Sequence, residues 1–441
     1  MSVIHELSSV APLELFNLWQ VPATQVSVRK TSQTEVRPLN ALTSTAPLVF
    51  EFSTSPDQYV LLGESQLYLR ARVDLEVNGA SPDASVYEKC HPAQNIMHTL
   101  IKSVEIYLND KLVCLNSQNY AHRAWFENFL GFSNNAKKSH LQAGLWTENA
   151  ADRWEFLFDK KSADSKNTVT SKTVELLGRL HNDLCFSPHA LIGGVKIRIR
   201  ICLNEPSYFL NFSEKVANLK ASLELEAATW HPVINYVSPV LLEGHLTALS
   251  KSPAKYFITR SEIKHQTLPQ GVRDVVLDNF ITGQLPRRVF LTLIDNNAFN
   301  GAIDKDPFNF DHFSVNFLAL YVNGLQTPEI PYQPSFSATN PRVLREFMAL
   351  YQALDQNGTD THLVLKRNQF FKNPIFAFNL SPDQSNGGGI GGHLSVISNG
   401  NVRIQLKFDT DLSKVITVMA YCEFDNLIEI DSNRNVFTDF V

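Results

Sequence analysis

The sequence predicts an all-β fold of two tandem jelly-roll β-sandwich domains with a few short helices, and three observations lead to this prediction. The chain has 441 residues, more than one hydrophobic core usually supports. Its 29 phenylalanines and 12 tyrosines, against 4 methionines, favour strands over helices. Strand-like segments also recur in the same order in both halves of the chain, which indicates a duplicated unit.

The duplication is visible in three pairs of segments. In the first pair, alternating apolar residues run into a dipeptide suited to the positive φ angles of a type I′ hairpin turn. An amphipathic helical segment follows each hairpin, and a later apolar/polar alternation in each half predicts a strand. The pairs are residues 106–110 and 320–324 for the hairpins, 120–130 and 342–354 for the helices, and 195–201 and 402–408 for the strands.

The first half of the chain divides into an arm and a domain. Residues 1–24 form an apolar arm in which Pro12 and Pro22 oppose a long helix. Residues 25–237 are predicted as the first jelly roll. The clearest alternation in the chain lies at residues 66–77, and it is typical of an antiparallel sheet with one face on a core and one in water.

The second half begins after a connecting segment. Residues 238–252 are predicted as a linker that contains a helix, and residues 253–441 as the second jelly roll. Throughout, we expect many short strands with long loops between them. Residues 150–172 are rich in charged residues and serine, and are predicted as an exposed loop. The strongest strand patterns of the second domain are residues 290–294, 315–322, 401–409 and 415–430.

The arm supplies the candidate functional residues. Its apolar side chains need a surface to lie on, and two surfaces are open: the edge of the arm's own domain, or a neighbouring subunit. We take the second alternative as the hypothesis for assembly. The candidate assembly contacts are Leu13, Leu15, Phe16, Leu18 and Trp19.

Charge and composition argue against several classes of function. With 39 basic and 44 acidic residues the net charge is −5, so the chain lacks the basic surplus of a protein that grips a phosphate backbone, and no sequence-specific nucleic-acid binding is expected. No apolar run approaches the ~18 residues of a membrane span. The start of the chain has no basic region typical of a secretory signal. Five scattered cysteines without CxxC spacing predict reduced, buried thiols in a cytosolic or nuclear protein.

No catalytic, cofactor-binding or metal site is predicted, and the protein is expected not to be an enzyme. His181 and His189 are too isolated for a metal centre. The acidic pattern of residues 304–309 lacks the glycine and closing glutamate of a calcium loop, so turns are expected there. The glycine-rich residues 387–392 lack the Lys-Ser/Thr of a phosphate-binding loop. The basic pairs at 137–138 and 287–288 resemble solvated surface, although the second pair could meet acidic partners.

Several ordered motifs carry a resemblance to a known family. They include LGRLH at residues 177–181, DNNAFNG at 295–301 and EIDSNRNV at 429–436. Further motifs lie at residues 15–16, 21–25, 65–68, 103–109, 120–124, 135–139 and 307–310. With these motifs the chain resembles, over nearly its full length, the hexon-like double jelly-roll major capsid protein of Polinton (Maverick) elements and adintoviruses.

The resemblance implies a structural role. It implies a homotrimer of pseudo-hexameric outline that tiles an icosahedral shell around double-stranded DNA, with penton or minor capsid proteins as further partners. It also implies a protein of the virion capsid, made in the host cytoplasm and assembled in the nucleus. The loops are modest, so tall surface towers are not expected. The alternatives are a domesticated transposon-derived protein or a lectin-like jelly-roll binding module that forms no shell, and third a cupin-type enzyme, for which the histidine ligands are missing.

Overall fold

The fold is known from a computed structural model that describes residues 7, 14–19, 21–114, 118–163, 166–356, 363–384 and 393–439. It consists of two tandem jelly rolls, as the sequence predicts. Each jelly roll packs two four-stranded antiparallel sheets face to face, with small accessory strands outside them. Apolar side chains from the inner faces of both sheets form the core.

The first jelly roll contains the twelve strands of residues 28–237. They are β1 Val28–Gln33, β2 Leu48–Ser53, β3 Gln58–Val77, β4 Cys90–Pro92, β5 Ile101–Leu108, β6 Lys111–Leu112, β7 Phe158–Ala163, β8 Lys166–Ser171, β9 Thr173–Gly178, β10 Lys196–Leu203, β11 Leu210–Phe212 and β12 Leu219–Val237. Its helices are α1 Ala84–Glu88, α2 Ile96–Thr99, α3 Tyr120–Gly131, α4 Asn134–Lys137, α5 Ala150–Leu157 and α6 Pro206–Phe209. Short 3-10 helices span Glu14–Phe16, His140–Gly144 and Asp183–Phe186.

The helix α7, Pro239–Leu249, lies between β12 and the first strand of the second jelly roll. Ser238 caps its first turn by accepting a hydrogen bond from the Leu241 N–H. The strands that follow are β13 Ala254–Leu268, β14 Asp274–Gln284, β15 Arg288–Asp295, β16 Val315–Val322, β17 Leu325–Tyr332, β18 Phe376–Asn379, β19 Asn399–Phe408, β20 Ile416–Ile430 and β21 Val436–Thr438. The helices between them are α8 Asn296–Phe299, α9 Leu344–Ala353 and α10 Arg367–Lys372.

The two jelly rolls have the same strand order. One sheet runs β1-β12-β3-β9 in the first and β13-β20-β15-β18 in the second. The other runs β2-β10-β5-β6 in the first and β14-β19-β16-β17 in the second. The strands predicted as equivalent, β10 and β19, occupy the same place, and so do the helices α3 and α9, which each follow the fourth strand of the second sheet. The internal duplication is therefore confirmed.

The two hairpin turns also correspond in atomic detail. Asn109 and Asp110 have φ angles of 47° and 66°, and Asn323 and Gly324 have 50° and 83°, as a type I′ turn requires. In both turns the asparagine Oδ1 accepts a hydrogen bond from the next strand, from the Lys196 N–H in one and from the Asn401 N–H in the other. In each half, an asparagine side chain thus holds the hairpin turn against the neighbouring strand.

Three features of the fold differ from the sequence predictions. Residues 150–172 are not a loop: they form α5, capped by the Asn149 side chain, and the hairpin of β7 and β8. This segment folds because Leu157 and Phe158 are buried, and Phe158 packs edge-on against Tyr87. The strands are not all short, since β3 has 20 residues and β12 has 19. The strand β14 has no strong sequence pattern because a bulge interrupts its alternation between Leu277 and Ile281.

The alternation predicted for β3 is confirmed. The apolar positions of β3 from Leu67 to Leu75 are buried, and the residues between them are half-buried or exposed. All five cysteines are free; four are buried and Cys202 is half-buried.

Candidate assembly surfaces

The candidate arm residues are exposed in the isolated chain. Leu15, Phe16, Leu18 and Trp19 have 77%, 64%, 77% and 87% of their surface open to solvent. Leu13 lies outside the described residues. Exposure of four large apolar side chains in one short segment is unusual for a folded chain. Their contact with another subunit stays a prediction.

The arm leaves the body of the protein beside the connecting helix. The Ser238 N–H donates a hydrogen bond to the Ser27 carbonyl oxygen over 2.8 Å, and Val28 pairs with Val237. The helix α7 is itself largely apolar, with Val240 and Leu246 exposed. The arm therefore starts beside a helix that carries exposed apolar groups of its own.

A cleft of about 560 Å³, which we call the basal cleft, lies next to α7 and the start of β1. Its wall contains Tyr59, whose hydroxyl lies 2.8 Å from His245 Nδ1 and whose ring stacks on the imidazole. Tyr256 forms part of the wall from the second jelly roll, and its oxygen accepts a hydrogen bond from the Ile192 N–H. The cleft is therefore built by both jelly rolls and by the helix between them.

The helix α3 lies in the junction between the two jelly rolls. Nine of its twelve residues are buried. The ring of Phe126 stacks on Tyr421 and on Phe310 of the second jelly roll, with centroids 5.4 and 5.8 Å away. Trp125 stacks on Phe308, with centroids 6.0 Å apart. Aromatic groups of this size dominate buried energetics, so the two jelly rolls form one packed unit here.

A buried ionic network supports the same junction. The Arg123 guanidinium donates to Glu127 over 2.7 Å and to Asp183 over 2.6 Å. Asp183 also accepts the Ser261 N–H of β13, over 3.0 Å, so the network crosses between the jelly rolls. Burial raises the pKa of Glu127, but Arg123 and His181 outweigh it and lower that pKa to about 2. The carboxylate is therefore charged at neutral pH.

His122 of α3 forms a second polar bridge across the junction. One ring nitrogen, Nε2, lies 3.0 Å from the Pro307 carbonyl oxygen, so it carries the proton and donates. The other, Nδ1, accepts from the Tyr208 hydroxyl over 3.0 Å. Burial lowers the pKa of His122 from 6.5 to about 4, against the opposing effect of the Pro307 hydrogen bond. The neutral ring is thus the form that fits the site.

The equivalent helix of the second jelly roll, α9, faces outward. Only three of its ten residues are buried, and Leu344 and Met348 are exposed one turn apart. Arg345 donates to the carbonyl oxygens of Pro331 and Ile330 on β17, so exposed Ile330 lies beside the helix. We call Ile330, Leu344 and Met348 the outer patch.

The remaining sequence candidates have structural surroundings. The His181 Nδ1 lies 2.6 Å from Glu127 inside the junction, and His189 is exposed on the rim of the basal cleft, so the two do not meet at a common site. Asp306 accepts the Phe308 N–H in a turn, as expected. Residues 387–392 lie outside the described part of the chain. Within the described residues, no group of three or more potential metal ligands occurs.

Lys138 is exposed, as expected, but the other three residues of the two basic pairs are buried or half-buried. Lys137 is buried, its Nζ donates to the Phe129 carbonyl oxygen over 2.7 Å, and burial lowers its pKa from 10.5 to about 8. Arg287 lies 3.0 Å from Asp425, and Arg288 lies 2.5 Å from Glu423. The acidic partners of the second pair are therefore in its own chain. None of the described helices is both long enough and apolar enough to cross a membrane.

Solved structures with the same fold are viral capsid proteins. A chain of the Sputnik virophage structure matches with a TM-score of 0.61 and 11% identity, covering 100% of this chain and 94% of that one. A chain of the PBCV-1 virus capsid matches with a TM-score of 0.59 and 9% identity, covering 96% and 99%. The mavirus major capsid protein matches with a TM-score of 0.54 and 9% identity, covering 100% and 97%. The chain therefore has the double jelly-roll fold of viral major capsid proteins.

Sequence comparison finds a relative in Caenorhabditis elegans. The chain is 23% identical over 440 residues to "Uncharacterized protein F54H12.2" of Caenorhabditis elegans, covering 96% of this chain and 100% of the relative. No protein-family model matches the chain. At these identities the likeness to solved structures establishes the fold.

Proposed function

We propose that the protein is a major capsid protein (hexon) of the kind encoded by Polinton (Maverick) elements and adintoviruses. Its trimers form pseudo-hexameric capsomers that tile an icosahedral shell around double-stranded DNA. The observation that carries the proposal is the end-to-end match to capsid proteins of three viruses, with neither chain leaving a large part uncovered. A fold alone permits other functions, so a second line of support is needed.

The second line is the asymmetry of the contact between the two jelly rolls. The strands β1 and β13 are equivalent: each forms one edge of the corresponding sheet in its jelly roll. The first jelly roll covers β13, through α3 and through the bond from Ser261 to Asp183. The equivalent edge β1 is mostly exposed, and the equivalent helix α9 presents the outer patch to solvent. Within one chain the first jelly roll therefore contacts the second head to tail. The two surfaces that could continue this contact, the β1 edge and α9, stay exposed on the same chain.

Head-to-tail contacts between equivalent units generate rings when the rotation closes. A second copy that places its β1 edge against α9 would repeat the contact seen inside the chain. Three chains joined in this way give six jelly rolls in one ring, which is the pseudo-hexameric capsomer. Exposed edge strands otherwise promote uncontrolled pairing, so their burial in an oligomer also favours this arrangement.

The proposal includes the organisation and setting of the chain. The arm is residues 1–24, the jelly rolls are residues 25–237 and 253–441, and residues 238–252 link them. The chain has no catalytic role, and its partners are further copies of itself together with penton or minor capsid proteins. It belongs to the virion capsid, and is made in the cytoplasm and assembled in the nucleus.

Negative-stain electron microscopy of the purified full-length protein tests this function. The proposal predicts particles of sixfold outline, or closed shells, at high protein concentration. Particles that remain single, two-lobed monomers at all concentrations and salt conditions contradict it. Shells recovered from expressing cells should also protect double-stranded DNA from nuclease, which separates a virion protein from an empty lattice.

A second candidate is a domesticated, transposon-derived protein that keeps the fold and forms no shell. The relative of full length in Caenorhabditis elegans, an animal, favours this candidate. The same microscopy distinguishes the two, because a domesticated binding protein of this kind would give monomers or small oligomers without a lattice.

A further inference from the structure

We propose that the basal cleft of one copy receives the arm of a neighbouring copy, with Phe16 and Trp19 as the anchoring side chains. This inference rests on the proposed assembly, and it names the surface that the arm occupies there. It begins from the position of the arm, which leaves the body at Val28, a residue of the cleft rim. In the isolated chain the arm does not fill the cleft, since its aromatic residues are exposed.

The cleft suits large apolar side chains. Its volume of about 560 Å³ lies within the usual range of ligand pockets, and aromatic and aliphatic side chains form much of its wall. Tyr59, Val237 and Tyr256 there are buried and held by strand pairing and hydrogen bonds, so the pocket is rigid before anything binds. Aromatic anchors in preformed pockets contribute most of the binding energy in protein interfaces.

Charge complements this apolar match. Residues 1–28 contain no lysine or arginine and include Glu6 and Glu14. Among the residues that line the cleft are His189, His245 and Lys255, and none of the lining residues is acidic. Lys255 has a distant partner in Glu429, at 3.9 Å, so its charge is only partly compensated. The cleft therefore attracts an acidic arm rather than repelling it.

The charge of this end of the molecule also argues for a protein partner over a lipid surface. Segments that lie on membranes are typically rich in lysine and arginine, which bind anionic headgroups. The arm has neither residue, and the helix α7 has Glu243 as its only charged residue. A second copy of this chain is the occupant whose exposed groups match the cleft.

The length of the arm allows exchange between copies. Val28 is nine positions after Trp19 in the chain, a span of about 30 Å when extended. Pro22 within that span favours an extended backbone. The side chain of Gln25 bonds to both backbone groups of Val28, which fixes where the arm leaves the body. The arm can thus reach a neighbour packed against the same end of the molecule.

Photo-crosslinking of the full-length protein tests the exchange. The substitution Trp19→p-benzoylphenylalanine is introduced into protein made in natural-abundance nitrogen, which is mixed with unsubstituted protein labelled with ¹⁵N and irradiated under assembly conditions. We expect cross-links from unlabelled arm peptides to labelled peptides of residues 237–256. Cross-links confined to unlabelled peptides of the same molecule, or capture of added phosphatidylcholine and phosphatidylserine vesicles instead of protein, overturn the inference.

A cleft-filling variant provides the matched test. Ala248 is exposed and lines the cleft, so Ala248→Trp fills it without disturbing the core; Thr247→Trp, also exposed on α7 but outside the cleft lining, is the control. Both variants should melt like the original protein. We expect Ala248→Trp to lower the yield of cross-links between copies by about tenfold and Thr247→Trp to leave it unchanged.

The outcomes separate this inference from the proposed function. If the protein forms capsomers or shells but Ala248→Trp leaves the cross-links intact, the arm lies elsewhere and the capsid function stands. If the protein stays monomeric at every concentration, both proposals fail together.

Discussion

The helices α3 and α9 occupy equivalent places in two duplicated jelly rolls, yet their surroundings are opposite. Nine of twelve residues are buried in α3, and three of ten in α9. The first helix has aromatic residues on several faces, whereas the second has apolar residues both against its own domain and in the exposed outer patch. The two jelly rolls therefore share one strand order, while α3 is buried in the contact between them and most of α9 is exposed or half-buried.

The comparison suggests how a duplicated chain builds an asymmetric unit. If α3 had the same sequence as α9, the two jelly rolls of one chain would meet only through α7 and polar edges. The aromatic residues of α3 and the Arg123 network make that contact part of the core. The outer patch on α9 keeps a smaller apolar surface, as expected for a contact that forms between chains.

The largest effect is expected from removing the charge at the centre of the junction. Arg123→Met leaves Glu127 and Asp183 buried without their cation, and we expect it to lower the free energy of unfolding by about 3–5 kcal/mol. The matched change on α9, Arg345→Met, removes two hydrogen bonds to backbone at the exposed surface and should cost about 1 kcal/mol. Urea denaturation measures both; equal losses would show that the two helices contribute alike.

Truncation of an aromatic side chain in each helix gives the next effect. Phe126→Ala opens a cavity between Tyr421 and Phe310, and we expect a loss of about 3–4 kcal/mol in unfolding free energy. Phe347→Ala on α9 removes a half-buried ring that packs on Tyr351 and Phe370, with an expected loss of about 1–2 kcal/mol. A larger loss for Phe347→Ala would reverse the assignment of the core contact.

Acid should weaken the junction through His122. Its pKa is about 4 in the folded protein and 6.5 when unfolded, so the unfolded chain takes up the proton first as the pH falls. The contribution of neutral His122 to the unfolding free energy is therefore complete above pH ~6.5. It declines by about 1.4 kcal/mol per pH unit as the pH falls towards ~4. The ring contacts Tyr208, Phe299, Phe308 and the Pro307 carbonyl, and the nearby His265 lowers the pKa of His122 further.

The variant His122→Gln isolates this contribution. Between about pH 6.5 and 4, the unfolding free energy of this variant should depend less steeply on pH, by the contribution of one proton. The pH dependence due to the buried His98 and His181 should remain. Denaturation series at several pH values give the comparison. An unchanged slope in the variant would show that His122 does not titrate in the way the structure implies.

Much of the fold follows from local sequence patterns. The strands β10, β16 and β19 and the hairpin asparagines were predictable because period-two alternation and type I′ turns are written in adjacent residues. The hairpin of β7 and β8 was missed because charged residues there mask the few buried ones, Leu157 and Phe158. Propensity gives no signal where a handful of tertiary contacts decides the structure.

The junction could be predicted only in part. The sequence predicts α3 as an amphipathic helix, so its burial on most sides was not expected; its dense aromatic residues are the signal that could have indicated it. The buried ionic network could not be predicted from the sequence. Arg123 and Asp183 are 60 residues apart, and no local sequence pattern indicates that they pair. The exposure of Phe16 and Trp19 fits the sequence hypothesis of an arm without a place on its own domain, although their contact partner stays a prediction.

The smallest change in stability and the most direct test of the account come from the outer patch. Met348→Asp alters an exposed side chain of α9, so we expect the unfolding free energy of the single chain to change by less than about 0.5 kcal/mol. Val276→Asp, at a similarly exposed apolar residue on β14, is the control. Sedimentation velocity at matched concentrations measures association of the original chain and both variants.

The account predicts a species of three times the 49.6 kDa chain mass for the original protein and for Val276→Asp, and a shift to monomer for Met348→Asp. A trimer that persists unchanged in Met348→Asp, with Val276→Asp as the variant that dissociates, would contradict the claim that α9 repeats between chains the contact that α3 makes within one.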